Sequence, residues 1–160
     1  MHPRAAELIT LLNLEPHPEG GRFREVFRSS CRVRPEGTRP ARSAVTAIYF
    51  LLTAGEHSRW HRVASDELWH FCEGAPLDLH LLDPGLKTAI RHRLEPATAT
   101  AAPLQIVPAG WWQAANPLGD YTLVSCTVAP GFDFADFSML AGSPAATDLK
   151  PRFPDLVKFL

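Results

Sequence analysis

An imidazole and a carboxylate six residues apart are the groups in this chain best suited to chemistry. They are His61 and Glu67, in the segment HRVASDELWHFCEG that spans 61–74. A histidine accepts or releases a proton near neutral pH, and a neighbouring carboxylate can act as its partner in acid–base chemistry. In the second half of the segment, Glu67, Trp69 and Phe71 recur with a period of two, which predicts a strand. A carboxylate that shares a strand face with two aromatic rings indicates a polar group inside an aromatic-lined pocket.

Other side chains are candidates for the wall or the mouth of such a pocket. The rings of Phe50 and Trp111 could stack on a flat ligand, although a barrel core would also bury them. Arg24 follows a glycine turn on an alternating stretch. It either clamps a carboxylate or phosphate of a ligand or makes an ion pair that fixes the N-terminal strand. His17 and Glu19, just before that turn, either close the pocket mouth or cap the turn.

Short strands must position these groups. The segments 43–52 and 121–128 are rich in β-branched and aromatic residues and predict two buried strands. Gly and Pro separate roughly ten short strands in all, which is typical of an all-β sandwich or barrel. Apolar residues at helical spacing over 4–14 predict one amphipathic helix before them. A chain of 160 residues predicts one domain, 1–160, with a barrel core at about 20–140.

Composition argues against several classes of protein. Lys and Arg total 16 and Asp and Glu total 17, and this balance gives no reason to expect a nucleic acid or an anionic membrane as partner. The longest apolar run, 44–54, is far shorter than the roughly 18 residues of a membrane-spanning helix. Three widely spaced cysteines without a CxxC pair predict reduced thiols and a cytoplasmic protein. The basic stretch 32–42 is expected to be a solvated loop.

Two motifs give the chain a resemblance to a known superfamily. Gly55, His61, Glu67 and Gly74 match the spacing G-x5-HxH-x3-4-E-x6-G, and the segment 108–113 echoes G-x5-PxG-x2-H-x3-N. These are the motifs of the cupin superfamily. The segments HPEGGRFREVFRS, AIYFLLTAGEHSRWHRV and CTVAPGFDFADF resemble its branch of small stand-alone cupins that open with HPEGG, long catalogued as a domain of unknown function.

The resemblance implies a fold and an assembly. The fold is a double-stranded β-helix, the cupin jelly-roll barrel, with a short N-terminal helix and a ligand cavity inside. Relatives of this kind are commonly dimeric. A homodimer is expected for a physical reason as well, because the edge strands of such sandwiches are often covered by pairing.

The chain departs from the metal-binding cupin pattern at two of the four ligand positions. Val63 stands at the second histidine position, and Gln113 stands at the histidine of the second motif. The resemblance therefore leaves His61, Glu67 and the weak amide oxygen of Gln113 as metal ligands. Catalytic zinc or non-haem iron generally needs at least three good ligands. No cofactor is expected beyond a weakly bound divalent metal.

Three functions are open at this point. One is a protein that binds a small, sugar-like molecule in a cavity around His61, Glu67 and Gln113, with no defined catalysis. Another is a metal-independent epimerase or isomerase with His61 as general base and Tyr49 or Tyr121 as acid, as a resemblance to the sugar-nucleotide 3,5-epimerases implies. The last is a metal-dependent oxygenase or lyase. The structural alternative to all of them is a buried hydrogen bond between His61 and Glu67.

Overall fold

The computed structural model describes residues 1–35 and 37–160. Helix α1 (Pro3–Leu11) precedes the strands and α2 (Ala146–Arg152) follows them, with 3-10 helices at Phe134–Asp136 and Pro154–Phe159. The strands are β1 (Glu15–Pro16), β2 (Arg22–Arg28), β3 (Arg32–Val33), β4 (Arg42–Ser43), β5 (Thr46–Thr53), β6 (Ser58–Val63), β7 (Asp66–Gly74), β8 (Leu77–Leu82), β9 (Ala89–Leu94), β10 (Leu104–Val107), β11 (Trp112–Pro117), β12 (Tyr121–Ala129) and β13 (Phe137–Met139).

The strands form two facing sheets. Sheet one has the order β1-β2-β5-β12-β7-β10 and sheet two has the order β13-β6-β11-β8-β9, while β3 and β4 form a separate short pair. The strands within each sheet pair antiparallel. The prediction of an all-β protein with a short N-terminal helix is confirmed. The helix ends earlier than the 4–14 pattern predicts, because Asn13 takes a positive φ of 51°.

Large apolar side chains fill one end of the space between the sheets. Leu77, Leu79 and Leu81 of β8 pack there with Phe71 and Trp111. Each fully buried leucine contributes about 1.5–3 kcal/mol to stability, so this end is a rigid support. The other end is open and forms the cavity described below.

The outer faces of the sheets are partly covered. Ala5 and Leu8 of α1 pack on Leu51 and Leu123 of sheet one. The C-terminal segment packs on sheet two, where the ring of Phe159 lies against buried Trp60, Trp112 and Leu149. None of the helices within residues 1–35 and 37–160 is long and apolar enough to cross a membrane.

A bulge in β2 decides which of its side chains face inward. Glu25 pairs with Ile48 and Arg28 pairs with Thr46, so three residues of β2 span the distance of two residues of β5. The extra residue shifts the alternation, since a slip of one position moves the following side chains to the opposite face. Glu25 and Arg28 therefore both face the cavity, whereas Arg24 is exposed on the outer side.

Candidate active site

The open end of the barrel encloses a cavity of about 280 Å³. Sheet one supplies wall residues from β2, β5, β7 and β12, and sheet two supplies one from β6 and one from β13. The segment 132–137 lies at the mouth, where Phe134 is 56% exposed. The wall has two chemical components: six aromatic rings, Phe23, Phe50, Trp69, Phe132, Phe134 and Phe137, and four buried acid–base groups, His17, Glu19, His61 and Glu67.

A glycine turn brings His17 and Glu19 into this wall. Gly20 and Gly21 have φ values of 111° and 67°, which glycine adopts readily and other residues rarely do. A Cβ atom on Gly20 would collide with the carbonyl oxygen of His57, so the turn approaches the start of β6 closely. The carbonyl oxygen of Glu19 accepts a hydrogen bond from the backbone N–H of Arg59 at 2.8 Å. The turn is thus tied to the strand that carries His61.

The carboxyl group of Glu19 is the centre of the polar wall. Its Oε1 accepts a hydrogen bond from the hydroxyl of Ser58 at 2.9 Å. Its Oε2 lies 3.1 Å from Nε2 of His61 and 3.3 Å from Nδ1 of His17. One carboxyl oxygen therefore faces two imidazole rings, and all three side chains are at least nine-tenths buried.

These contacts restrict where the protons can be. Nδ1 of His61 lies 2.7 Å from the carbonyl oxygen of Arg59, and because a carbonyl only accepts, this nitrogen carries the hydrogen. In the neutral ring, Nε2 of His61 is then an acceptor that faces another acceptor, Oε2 of Glu19. The pair is stable only when one of the two atoms holds a proton.

Burial shifts the pKa values of all three groups toward their uncharged forms. It raises the pKa of Glu19 to about 7, although the nearby His17 and the hydrogen bond from Ser58 oppose this rise. Burial also lowers the pKa of His17 and of His61 below the usual range. Since desolvation disfavours every charged form, burial favours a protonated carboxyl group and two neutral rings.

Glu67 presents a second carboxyl group from the opposite sheet. Its Oε2 accepts a hydrogen bond from Nε2 of Gln113 at 2.6 Å. Trp69 Nε1 donates to the amide oxygen of Gln113 at 2.9 Å, and because the indole only donates, this contact fixes the orientation of the amide. Oε1 of Glu67 accepts no N–H or O–H bond from residues 1–35 and 37–160. Burial raises the pKa of Glu67 to about 7, with the His61 ring and the Gln113 amide opposing.

Two ion pairs hold the mouth of the cavity. Arg28 donates to both carboxylate oxygens of Glu25, at 2.8 and 2.7 Å, and also to the carbonyl oxygen of Phe132. Asp136 accepts two hydrogen bonds from Arg42, at 2.9 and 3.0 Å, and both side chains are buried. The stretch 32–42, expected to be a solvated loop, therefore contributes a buried arginine that fixes the segment 132–137.

The structure brings together four of the sequence-predicted site residues on the cavity wall. These are His61, Glu67, Phe50 and Trp69. Gln113 lies directly behind Glu67 rather than on the wall.

Five other candidates lie elsewhere. Phe71 and Trp111 pack into the filled end of the barrel. Tyr49 lies on the outer face of β5 against α1, and Tyr121 is beside it, where its hydroxyl donates to Glu73 at 3.0 Å. The structure does not bring either tyrosine to His61, because odd and even positions of a strand face opposite sides of the sheet. Arg24 is outside for the same reason.

His17 and Glu19 are the site residues whose role the sequence left undecided. Both were candidates for the pocket mouth or for capping the turn, and both reach the inner wall beside His61. The signal that could have found them is the HPEGG segment itself, which places an imidazole and a carboxylate just before two successive glycines. Ser58, which holds the carboxyl group of Glu19, carried no sequence signal.

The residues at the predicted metal positions do not fit a metal ion. Val63 offers no donor atom, and both ends of the Gln113 amide are engaged by Trp69 and Glu67. The two nitrogens of His61 face Arg59 and Glu19. Within the described part of the chain, no group of three or more His, Cys, Asp or Glu side chains is arranged to hold a metal ion.

Several solved structures have a fold similar to that of this chain. A protein from Shewanella oneidensis is 32% identical, with a TM-score of 0.82, over 98% of this chain and 96% of that one. A hypothetical protein from Leishmania major is 31% identical, with a TM-score of 0.81, over 96% and 94%. Oxalate decarboxylase from Bacillus subtilis is 13% identical, with a TM-score of 0.57, over 87% of this chain and 34% of that one. This last likeness concerns the fold alone.

The family comparison agrees with the architecture and with the motifs. No functionally curated protein matches the chain. The family model described as cupin superfamily (DUF985) matches residues 6–140, and the predicted jelly-roll fold is confirmed. The chain belongs to this family of the cupin superfamily.

Proposed function

We propose that this protein binds a small organic molecule in the barrel cavity and transfers a proton to or from it without a metal ion. The observation that carries the proposal is the position of one carboxyl oxygen, Oε2 of Glu19, within 3.3 Å of nitrogens of both His17 and His61. A concave pocket with a few converging polar groups and perturbed pKa values is the usual setting of an active site.

His17 is the proposed proton-transfer group. Its Nδ1 faces Glu19, and its Nε2 has no hydrogen-bond partner within residues 1–35 and 37–160. The ring edge packs on Phe23, with 4.5 Å between the ring centroids, which restricts its rotation. Burial lowers the pKa of His17, so the ring is neutral near pH 7 and can act as a base.

Glu19 sets the direction of the transfer. When the carboxylate is ionised, Nδ1 of His17 donates its hydrogen to Oε2, and Nε2 presents a lone pair to the ligand. When Oε2 carries the proton, it donates to one of the two rings. In that state Nδ1 of His17 is an acceptor, and Nε2 carries the hydrogen and is the donor. The backbone N–H of Glu19 favours this tautomer, because it donates to Nδ1 at 3.3 Å. A carboxyl group behind a histidine fixes its tautomer in this way in other acid–base sites.

His61 and Glu67 have distinct supporting roles in this proposal. Both nitrogens of His61 are engaged by the protein, so the ring stores the proton that Glu19 gives up and does not itself touch the ligand. This replaces the expectation that His61 is the general base. Glu67 keeps one carboxyl oxygen on the wall that accepts no N–H or O–H bond from residues 1–35 and 37–160, with the thiol of Cys126 as a weak neighbouring donor, and anchors a polar group of the ligand.

Solvent deuterium exchange tests the proposal. Compounds with an acidified C–H bond, such as hydroxyketones and aminoketones, are first screened for binding and then incubated with the protein in D₂O. We expect deuterium incorporation into a bound compound to fall by about 10²–10⁴-fold in His17→Gln, the usual contribution of a positioned acid or base. His80→Gln is the matched control, since His80 is half-buried and bonded to Asn116 outside the cavity. A compound that binds and exchanges equally fast with His17→Gln and wild type would contradict the assignment.

A further inference from the structure

The charged groups on the cavity wall do not balance. Among the described residues that line it, four are acidic, namely Glu19, Glu25, Glu67 and Asp133, while one is an arginine, Arg28, and none is a lysine. Arg28 is already paired through two hydrogen bonds with Glu25. Its charge is therefore already compensated by a carboxylate, and the wall otherwise presents an anion with three further carboxyl groups and two imidazoles whose pKa values burial lowers.

The rest of the wall favours positive charge. The rings of Phe50 and Trp69 meet edge to face, 5.8 Å between centroids, beside Glu67. The rings of Phe132 and Phe134, with those of Phe23 and Phe137, complete an aromatic wall. The faces of such rings attract ammonium groups, most strongly where water is excluded.

One carboxyl oxygen on this aromatic wall has no strong hydrogen-bond donor among residues 1–35 and 37–160, although the weak thiol donor of Cys126 lies beside the carboxyl group. Oε1 of Glu67 has no N–H or O–H donor from the described residues, while Oε2 is held by Gln113 at 2.6 Å. An ammonium group supplies the missing donor and the missing charge together. A hydroxyl group would supply the donor alone and leave the buried carboxylate uncompensated.

We infer that the ligand is a small organic cation, a protonated amine whose ammonium group lies against Glu67 and whose hydrocarbon part lies among the aromatic rings. The inference rests on the proposed function, since it names the substrate class of that site. It assigns charge recognition to Glu67 and leaves proton transfer to His17, so the two can fail separately.

Three probes of one shape test the inference. They are 2-phenylethylamine, 2-phenylethanol and phenylacetate, whose binding to the full-length protein at pH 7.5 is followed by NMR titration. We expect the amine to bind at least about tenfold more tightly than the alcohol, as a hydrogen bond between charged groups exceeds a neutral one. Phenylacetate should bind more weakly than the alcohol. Equal or tighter binding of the alcohol or of phenylacetate, or no binding by any of the three, overturns the inference.

A variant locates the source of the preference. In Glu67→Gln the amine should lose its advantage and bind about as weakly as the alcohol. In Glu73→Gln, which changes a carboxylate on the outer surface, the preference should persist. An amine preference that survives in Glu67→Gln overturns the assignment. The ranking of the three probes on the wild-type protein decides the question even when the variant does not fold. Deuterium exchange that depends on His17 without any amine preference would refute this inference and leave the proposed function standing.

Discussion

Replacing Glu67 by glutamine should stabilise the protein at alkaline pH and leave it unchanged at acid pH. Glutamine has nearly the shape of a protonated glutamic acid and can still accept the hydrogen bond from Gln113. What it removes is the ability to ionise in a buried place. The stability difference between variant and wild type therefore reports the pKa of Glu67 in the folded protein.

The size of the effect follows from that pKa. Burial raises the pKa of Glu67 from 4.5 to about 7, and each unit corresponds to about 1.4 kcal/mol. Between these two values the folded protein holds a proton that the unfolded chain has released. The free energy of unfolding of the wild type consequently falls, relative to the variant, as the pH rises through this window. The difference should grow from near zero at pH 4 to on the order of 3 kcal/mol at pH 8.

Urea denaturation at several pH values measures this difference, with tryptophan fluorescence as the signal. Glu73→Gln is the control of opposite sign. The hydrogen bonds from Arg4 lower the pKa of Glu73, so its ionised form stabilises the fold above pH 4.5. The Glu73→Gln variant should therefore be less stable than wild type at pH 8, and its deficit should shrink as the pH falls below 4.5. A Glu67→Gln variant that also loses stability relative to wild type as the pH rises would refute the reasoning, because Glu67 would then be stabilised as an anion.

Two further changes probe the supports of the site. Asp136→Asn removes the carboxylate that accepts two hydrogen bonds from Arg42, and we expect the free energy of unfolding at pH 7 to fall. A variant as stable as wild type would show that this pair does not hold the mouth. Gln113→Leu removes the hydrogen bond that opposes the raised pKa of Glu67 and the acceptor of the Trp69 indole. The pKa of Glu67 should then rise above about 7, as carboxyl signals in an infrared titration would report, and an unchanged or lower value would contradict the assigned role of the amide.

The sequence predicted the site residues that alternate along a single strand with a period of two. Glu67 and Trp69 alternate within one strand and both face the cavity. Phe71, two positions further on, also faces inward but lies in the filled end of the barrel. Alternation identifies the side of the sheet on which a residue lies. It does not reveal how far along the barrel the space is occupied, because that depends on side chains from other strands, such as Leu79.

The parts that could not be predicted depend on pairing between distant segments. Glu19 and Ser58 meet because the glycine turn is pressed against the start of β6, and no periodicity in either segment specifies this contact. The inward position of Arg28 has a different cause. A bulge in β2 reverses the alternation, and a single extra residue in one strand leaves no recognisable mark in the sequence. Arg24, the expected candidate, precedes the bulge and lies on the outer face, so the bulge brings only Arg28 to the cavity side.

The position of the His17–Glu19 segment is the physical basis of the acid–base chemistry proposed for a barrel whose motif positions provide metal ligands in metal-binding cupins. The motif positions Val63 and Gln113 lack imidazoles, and the amide of Gln113 is fully occupied by protein contacts. A second imidazole reaches His61 from outside both motifs, and it arrives with a carboxyl group between the rings. Between these nitrogen and oxygen atoms, separated by about 3 Å, a proton satisfies both partners as a hydrogen bond. The same burial that makes a fixed charge costly brings the pKa of Glu19 to about 7, which suits the acid–base chemistry proposed for this site.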